Sequence, residues 1–420
     1  MPKAVRRLQT PVPARRLLAA LVAFRVALPL AVLAATGSSL PGLPSYTYDA
    51  RPGDAYGFYS GMRELLKTTQ GLGPLLVLVA VALVGVTVVL VWRWRSSSAE
   101  RPWVVVAGAF TVGAVATLLA VRSHASGATT IGWPLVWSAP LLPYRALGLP
   151  LNPDIAFGVG LALSLAANAV TVVATYFAGL FATGRRTIGL LAAGLFSFWP
   201  LIVLLIGNSP ATNGGWQIDL GLSLYTEPLS TALVATAGAL LLRPSPSPLR
   251  DATAGVLLGL AVSVRLSNAV IAACACAVLA IRSDFGRVLP LAAGGCAFLP
   301  LVVAYWPKGY GALPNNGVPE HPFSLSYVTE AWGSHSLIWG FPAILALVPL
   351  AVVGALTVTR WKAALLSSWI VATVAFYSTY NGTDIHPRFL YVILPSVFVL
   401  WSAGLAVFIN ALRLWREAAP

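Results

Sequence analysis

The chain is 420 residues long, 58% of its residues are hydrophobic, only 10% are charged, and its mean hydropathy is +0.80. A soluble globular protein carries about 25% charged residues, so this composition excludes a soluble protein and indicates a polytopic membrane protein. The net charge of +14 indicates basic cytoplasmic loops, not a nucleic-acid partner. Because the long apolar runs lack the alternation of a membrane barrel, we expect an all-α membrane helix bundle.

Runs of about 20 apolar residues predict about ten full membrane spans. The first span also resembles a signal peptide, but its apolar length exceeds a typical signal core, so we expect it to be retained. The predicted spans lie at residues 17–37, 72–92, 103–121, 155–182, 187–206, 222–242, 288–305, 337–358, 363–380 and 389–412.

The apolar stretch 252–281 is predicted to form a hairpin of two short helices that turns near Arg265. If this stretch crossed the membrane once, the basic residues that follow it, Arg282 and Arg287, would lie opposite the other basic clusters. With the hairpin, every basic cluster and both chain termini fall on the cytoplasmic side. The arginine-rich composition is typical of a GC-rich bacterial source, so we expect a bacterial cytoplasmic membrane.

The predicted outer loops are the long ones, and they contain all four histidines and most of the acidic residues. A catalytic site needs such titratable groups, so we expect these loops to form the active-site face of a single membrane domain, residues 1–420. The outer loops are 38–71, 122–154, 207–221, 306–336 and 381–388.

The first outer loop gathers acidic, basic and aromatic residues in the stretch YTYDARPGDAYGFYSGMRELLK, Tyr46 to Lys67. From Asp54 onward the pattern predicts an amphipathic helix lying along the bilayer surface. One stripe of this helix is formed by Tyr56, Tyr59, Met62 and Leu66, and the opposite side by Arg63, Glu64 and Lys67.

Five segments, in order and sidedness, resemble the GT-C superfamily of integral-membrane glycosyltransferases. They are GDAYGFYSGMREL, TTIGWPLVWSAPLLPY, YTEPLSTAL, LLGLAVSVRLSNAV and HPRFLYVILP. The resemblance implies a GT-C-type bundle with juxtamembrane helices and an inverting transfer from a polyprenyl-phosphate sugar donor to a glycolipid, glycan or protein hydroxyl. The DAY and YTEP pieces are similar to mannosyltransferase members, which favours mannose.

Glycosyl transfer to a hydroxyl needs a general base, because the acceptor proton must leave as the anomeric carbon gains positive charge. Asp54 is the first candidate for this base, and Asp49 is the alternative. Each residue also has a structural explanation: Asp54 is placed to cap the following helix, and Asp49 to shape the turn or pair with Arg51.

A lipid-phosphate leaving group calls for cations at the outer membrane boundary. Arg388 in HPRFLY fits best, Arg265 at the hairpin turn is second, and His386 lies beside Arg388. The alternatives are an interfacial anchor for Arg388 and a cap on the hairpin carbonyls for Arg265.

The candidates for contact with the acceptor or sugar are aromatic or polar residues of the outer face: Tyr56, Tyr225, Glu227, His335 and Trp133. Glu227 suits acceptor hydroxyls or a metal ion, and it also suits the first turn of a helix, where the dipole favours an acid. No metal-binding spacing is present and the three cysteines lie in apolar segments, so we expect neither a cofactor nor a bound metal.

The alternative class is a transporter or lipid flippase of cell-envelope intermediates, which would carry charged or broken helices at mid-membrane and an internal repeat. No repeat is visible, but Arg25 in the first predicted span favours this class. A non-catalytic assembly subunit is a third hypothesis, and it predicts that substitutions in the first outer loop leave function unchanged.

Overall fold

The structure is a computed structural model that describes residues 14–36, 54–71, 102–123, 130–150, 152–205, 226–308, 323–329, 342–380 and 387–418. These residues are almost entirely helical, and the β-structure among them is a single bridge between Phe323 and Tyr380. The predicted all-α class is therefore confirmed for the described part of the chain.

The helices follow the predicted apolar runs closely. In chain order they are α1 (Ala14–Thr36), α2 (Asp54–Gly71), α3 (Pro102–Arg122), α4 (Gly132–Ser138), a first 3-10 helix (Ala139–Leu141), α5 (Leu142–Ala146), α6 (Pro153–Thr183), α7 (Arg186–Leu205), α8 (Glu227–Leu242), α9 (Pro248–Val264), α10 (Asn268–Ile281), α11 (Phe285–Cys296), α12 (Leu299–Tyr305), α13 (Pro342–Thr357), α14 (Arg360–Ser378), a second 3-10 helix (Pro387–Ile393) and α15 (Leu394–Ala418).

Four of the described helical segments are long and apolar enough to cross a membrane, which indicates membrane association. They are Pro102–Arg122, Ile155–Thr183, Phe285–Tyr305 and Phe389–Glu417. Shorter apolar helices accompany them, at Arg186–Ile202, Glu227–Leu242, Asn268–Ile281 and Val348–Thr357. The complete ten-span bundle stays a prediction, and the predicted span 72–92 lies outside the described residues.

The predicted hairpin is confirmed. Helix α9 ends at Val264 and α10 begins at Asn268, and between them Arg265 has the extended backbone angles φ −153° and ψ 115°, which a helix cannot continue. The two arms pack against each other and enclose part of one groove, so the chain reverses direction at Arg265.

Close backbone contacts hold the apolar helices together. A Cβ atom at Gly354 of α13 would overlap the backbone of Leu400 in α15, and one at Gly404 would overlap the backbone of Leu350. Lipid chains are as apolar as the helices, so such helices associate through tight packing at small residues, as α13 and α15 do.

The end of the bundle that contains the hairpin turn is called the Arg265 end. The turn meets the start of α8, the end of α14 and the second 3-10 helix there, because Arg265 contacts Glu227, Tyr377 and Phe389. Prolines and acids suit these helix starts: α8 opens with Glu227 and Pro228, where proline loses no hydrogen bond and the carboxylate faces the positive end of the dipole.

The opposite end is called the Trp361 end, and it is rich in basic residues. Arg287 of α11 pairs there with Asp251 of α9, and Lys362 of α14 donates to the carbonyl oxygen of Phe181 in α6 at 2.5 Å. Further basic residues lie at this end of the described bundle: Arg185, Arg186, Arg243, Arg250 and Arg360.

Candidate active site

The turn of the hairpin carries a buried ion pair between two residues that the sequence indicated separately. Nη1 of Arg265 donates to Oε1 of Glu227 at 2.8 Å, and the two side chains are only 11% and 4% exposed. Helix α8 packs beside the hairpin. The first helical turn of α8, which carries Glu227, therefore meets the connection between α9 and α10, which carries Arg265. The pair is charge-assisted, which makes it short and directional.

Aromatic residues fix the plane of the Arg265 guanidinium group. Its Nε donates to the Tyr377 hydroxyl at 2.8 Å, and that hydroxyl donates to Oγ of Ser267 at 2.7 Å. The guanidinium carbon also lies 4.8 Å from the centre of the Phe389 ring, which is stacked on Tyr377 at 4.8 Å. Arginine binds planar anions best when its fork of donors is held in this way.

Asn268, the first residue of α10, holds the turn of the hairpin in place. Its Nδ2 donates to Oγ of Ser230 in α8 and to the carbonyl oxygen of Ala261 in α9, both at 2.8 Å. The carbonyl oxygen of Ala261 also accepts the backbone N–H of Arg265, so Asn268 adds a second hydrogen bond there and ties the turn to the helix that carries Glu227.

Helix α2 follows the predicted amphipathic register. It begins at Asp54, Met62 and Leu66 are buried, Tyr59 is nearly so, and Lys67 on the opposite side is 56% exposed. The Tyr59 ring packs on Trp137 of α4, with ring centres 6.0 Å apart.

Helix α4 connects α2 to the hairpin. A Cβ atom at Gly132 would overlap the backbone of Ser263, so the two backbones touch, and Oγ1 of Thr130 donates to the carbonyl oxygen of Val264 at 2.6 Å. Helix α2 is therefore anchored, through α4, to the residue that precedes Arg265.

Trp133 occupies a different position from the one predicted for it. It was expected on the surface of an outer loop, where a sugar ring could stack on it, but its side chain is completely buried in α4, 5.8 Å from the ring of Trp137. An indole needs an open face to stack on a sugar, so in this structure Trp133 supports α2 and α4 from within the core.

Several predicted site residues lie outside the described part of the chain. Asp49, Tyr225, His335 and His386 are not described. Asp54 and Tyr56 open helix α2 and Arg388 belongs to the second 3-10 helix, but the positions of their side chains are not described. The structure does place the residue next to Arg388 in the site, because Phe389 contacts Arg265.

The site has three further members that no local sequence pattern indicated: Tyr377, Ser267 and Phe389. Tyr377 is 112 residues from Arg265, and its aromatic surroundings are those of an ordinary interfacial position. The only clue is indirect, since an arginine in an otherwise apolar stretch requires hydrogen-bond acceptors nearby.

Arg25 lies in a second polar cluster, away from the hairpin. It is completely buried in α1, and Nη2 donates to Oδ1 of Asn168 at 3.0 Å and to the Tyr391 hydroxyl at 2.7 Å. Tyr391 in turn donates to Asn168 at 2.6 Å, and the guanidinium carbon lies 5.1 Å from the Phe196 ring. Among the residues that the structure describes, Nε and Nη1 of Arg25 have no hydrogen-bond partner, and no carboxylate binds this buried cation.

An apolar groove runs from the hairpin turn along its two arms. Its volume is about 270 Å³, and its lining includes Val262 and Ala269 near the turn, Cys276 further along α10, and Leu291 and Gly295 of α11. A dry cavity of about 150 Å³ is enough to bind benzene, so this groove is large enough for a segment of hydrocarbon chain.

Within the described ranges, no group of three or more His, Cys, Asp or Glu residues lies close enough together to hold a metal ion. Glu227 is bound to Arg265. In comparisons with known proteins, no family model, curated protein or solved structure matches this chain.

Proposed function

We propose that the protein is an inverting glycosyltransferase of the GT-C type, which transfers a sugar, with mannose favoured, from a polyprenyl-phosphate donor to a hydroxyl of a glycolipid, glycan or protein. The observation that supports this most is the Arg265–Glu227 pair, held at a helix turn beside the 3-10 helix that contains Arg388. It gathers a cation, an acid and aromatic rings at one end of an apolar bundle.

In the proposed reaction, Asp54 accepts the proton of the acceptor hydroxyl, with Asp49 as the alternative base. The hydroxyl oxygen then bonds to the anomeric carbon from the face opposite the leaving group, and the carbon–oxygen bond to the phosphate breaks. The polyprenyl phosphate leaves with the electron pair, and Arg388 and Arg265, assisted by His386, stabilise its negative charge.

Glu227 and Tyr377 orient the Arg265 guanidinium in this proposal, and Glu227 offsets its charge in the absence of donor. Tyr56, Tyr225 and His335 contribute to the acceptor side. The apolar groove at the hairpin supports a lipid-linked donor, because it offers a hydrocarbon chain a path that starts within one helical turn of Arg265.

The proposal includes the full ten-span arrangement in a bacterial cytoplasmic membrane, with both termini cytoplasmic and the Arg265 end facing outward. The charge difference between the two ends of the described bundle supports this orientation, because basic residues accumulate at the Trp361 end. A donor activated beforehand on lipid needs no nucleotide on the outer side.

The test is transfer of labelled mannose from synthetic polyprenyl-phosphate mannose to an envelope-lipid extract, with purified protein in lipid nanodiscs. Asp54→Asn keeps the size of the side chain and a good helix cap but cannot accept a proton, so the rate should fall by about 10²-fold or more. Asp49→Asn should cost less, and Arg388→Ala should raise the KM for the donor.

Asp284→Asn at the Trp361 end is the matched control and should keep the wild-type rate, with yield and thermal stability monitored for every variant. If Asp49→Asn is inactive and Asp54→Asn active, the base is Asp49. Full activity in both aspartate variants refutes the mechanism.

A transporter or lipid flippase is the second candidate, and the buried Arg25 cluster is the observation that favours it. A cation inside a membrane helix is costly and commonly marks a pathway for an anionic substrate. The two candidates differ in product, because a transporter moves its lipid intact and a transferase cleaves the sugar–phosphate bond.

A further inference from the structure

Trp361 at the start of α14 is surrounded by three cationic side chains, which together with it are called the Trp361 cluster. The guanidinium carbon of Arg282 lies 4.4 Å from the centre of a Trp361 ring. The guanidinium carbon of Arg287 and Nζ of Lys362 each lie 5.8 Å from a ring centre. Cation–π contacts of this kind orient the cation relative to the indole plane.

Two of the three cations already have protein partners. Arg287 binds both carboxylate oxygens of Asp251 at 2.8 to 3.2 Å and donates to the carbonyl oxygen of Leu241 at 3.0 Å. Lys362 donates to the carbonyl oxygen of Phe181. These contacts fix the cluster to α6, α8 and α9.

Arg282 differs from its neighbours. It is exposed at the end of α10, and among the described residues its side chain makes no hydrogen bond or ion pair, so its contact with Trp361 leaves its donors available to a ligand. A guanidinium group presents a planar set of donors, which matches the oxygens of a phosphate group.

The surrounding charge favours an anion. Asp251 is neutralised by Arg287, which leaves Asp284 as the nearest carboxylate along the chain from Arg282. Further basic residues occupy the same end of the described bundle: Arg186, Arg243, Arg250 and Arg360. Basic clefts between membrane helices are suited to anionic lipid headgroups, and tryptophan favours the headgroup level.

Exposed apolar side chains flank Arg282 and distinguish a lipid from a free anion. Ile281 is 84% exposed, and Phe285 and Leu289, one helical turn apart on α11, are 65% and 61% exposed. A phosphate at Arg282 would therefore stand at the edge of a surface suited to acyl chains.

We propose that the surface formed by the end of α10 and the start of α14 binds the headgroup of an anionic phospholipid, with its phosphate on Arg282 and its glycerol backbone against Trp361. The acyl chains extend along Ile281, Phe285 and Leu289. This site lies at the opposite end of the bundle from the Arg265–Glu227 pair and does not depend on the proposed transferase activity.

The experiment measures lipid retained by delipidated protein after incubation with phosphatidylglycerol or phosphatidylcholine of identical chains, by native mass spectrometry. We expect the wild type to prefer phosphatidylglycerol and Arg282→Gln to lose about fivefold or more of that preference, the size of effect expected for one basic residue at a membrane surface. Arg282→Lys, which keeps the charge but not the planar fork, should lie between the two.

Arg185→Gln is the matched control, an exposed arginine at the same end, and it should retain the wild-type preference. Unchanged retention in Arg282→Gln overturns the proposal. An equal loss in Arg185→Gln also overturns it, because binding would then reflect general surface charge. If millimolar glycerol phosphate displaces the lipid completely, a free phosphate is the ligand and the lipid assignment is wrong.

Discussion

The buried Arg265–Glu227 pair predicts how much single and double substitutions change the free energy of unfolding. Breaking a buried ion pair by removing one partner costs about 3–5 kcal/mol, because the remaining charge stays desolvated, whereas replacing both partners by apolar residues is often neutral. With side chains 11% and 4% exposed, this pair belongs to the buried class. We therefore expect Glu227→Leu and Arg265→Met each to destabilise the protein by about 3 kcal/mol or more.

The double variant should be more stable than either single variant, which requires a coupling energy of about 3 kcal/mol or more. Equilibrium unfolding in mixed micelles, followed by tryptophan fluorescence, measures the free energy of unfolding of the wild type, the two single variants and the double variant. The control is the Glu64–Lys67 pair of α2, whose side chains are 26% and 56% exposed and whose coupling should be about 0–1 kcal/mol. Additive losses at Glu227 and Arg265 would refute the reasoning.

Three further predictions follow from the packing and the topology. Arg25→Met removes a buried cation that has no bound carboxylate among the described residues but makes two hydrogen bonds, so the free energy of unfolding should stay within about 1 kcal/mol of the wild-type value or rise, and a larger loss in the same unfolding assay would contradict this. Gly354→Ala should destabilise the protein by about 1–3 kcal/mol by forcing α13 and α15 apart, whereas Gly194→Ala, where the space is open, should not lower the melting temperature. A single cysteine at Ser60 should react with an impermeant thiol reagent in intact cells and one at Ser97 should not, and the reverse pattern would invert the proposed orientation.

Local patterns in the sequence predicted the elements that depend on local physics. The alternation of apolar and charged residues placed Met62 and Leu66 on the buried side of α2 and Lys67 on the exposed side. The basic residues after the hairpin predicted its turn at Arg265, since a single crossing would have placed them opposite the other basic clusters.

The contacts of the site depend on tertiary packing, which local patterns do not encode. Glu227 is 38 residues from Arg265, and nothing in either segment specifies the other as a partner. Trp133 illustrates the same limit: a short helix rich in tryptophan has the composition of an interfacial loop, but close contact of Gly132 with the backbone of α9 draws it into the core.

The most direct test of the proposed function compares donors for the wild-type protein. Purified protein in nanodiscs is supplied with an envelope-lipid extract and with labelled mannose carried either by a polyprenyl phosphate or by a nucleotide, and label in the acceptor lipids is measured by mass spectrometry. We expect transfer from the polyprenyl-phosphate donor alone, with release of polyprenyl phosphate. Transfer from the nucleotide donor, or movement of intact donor across the membrane without cleavage, would contradict it.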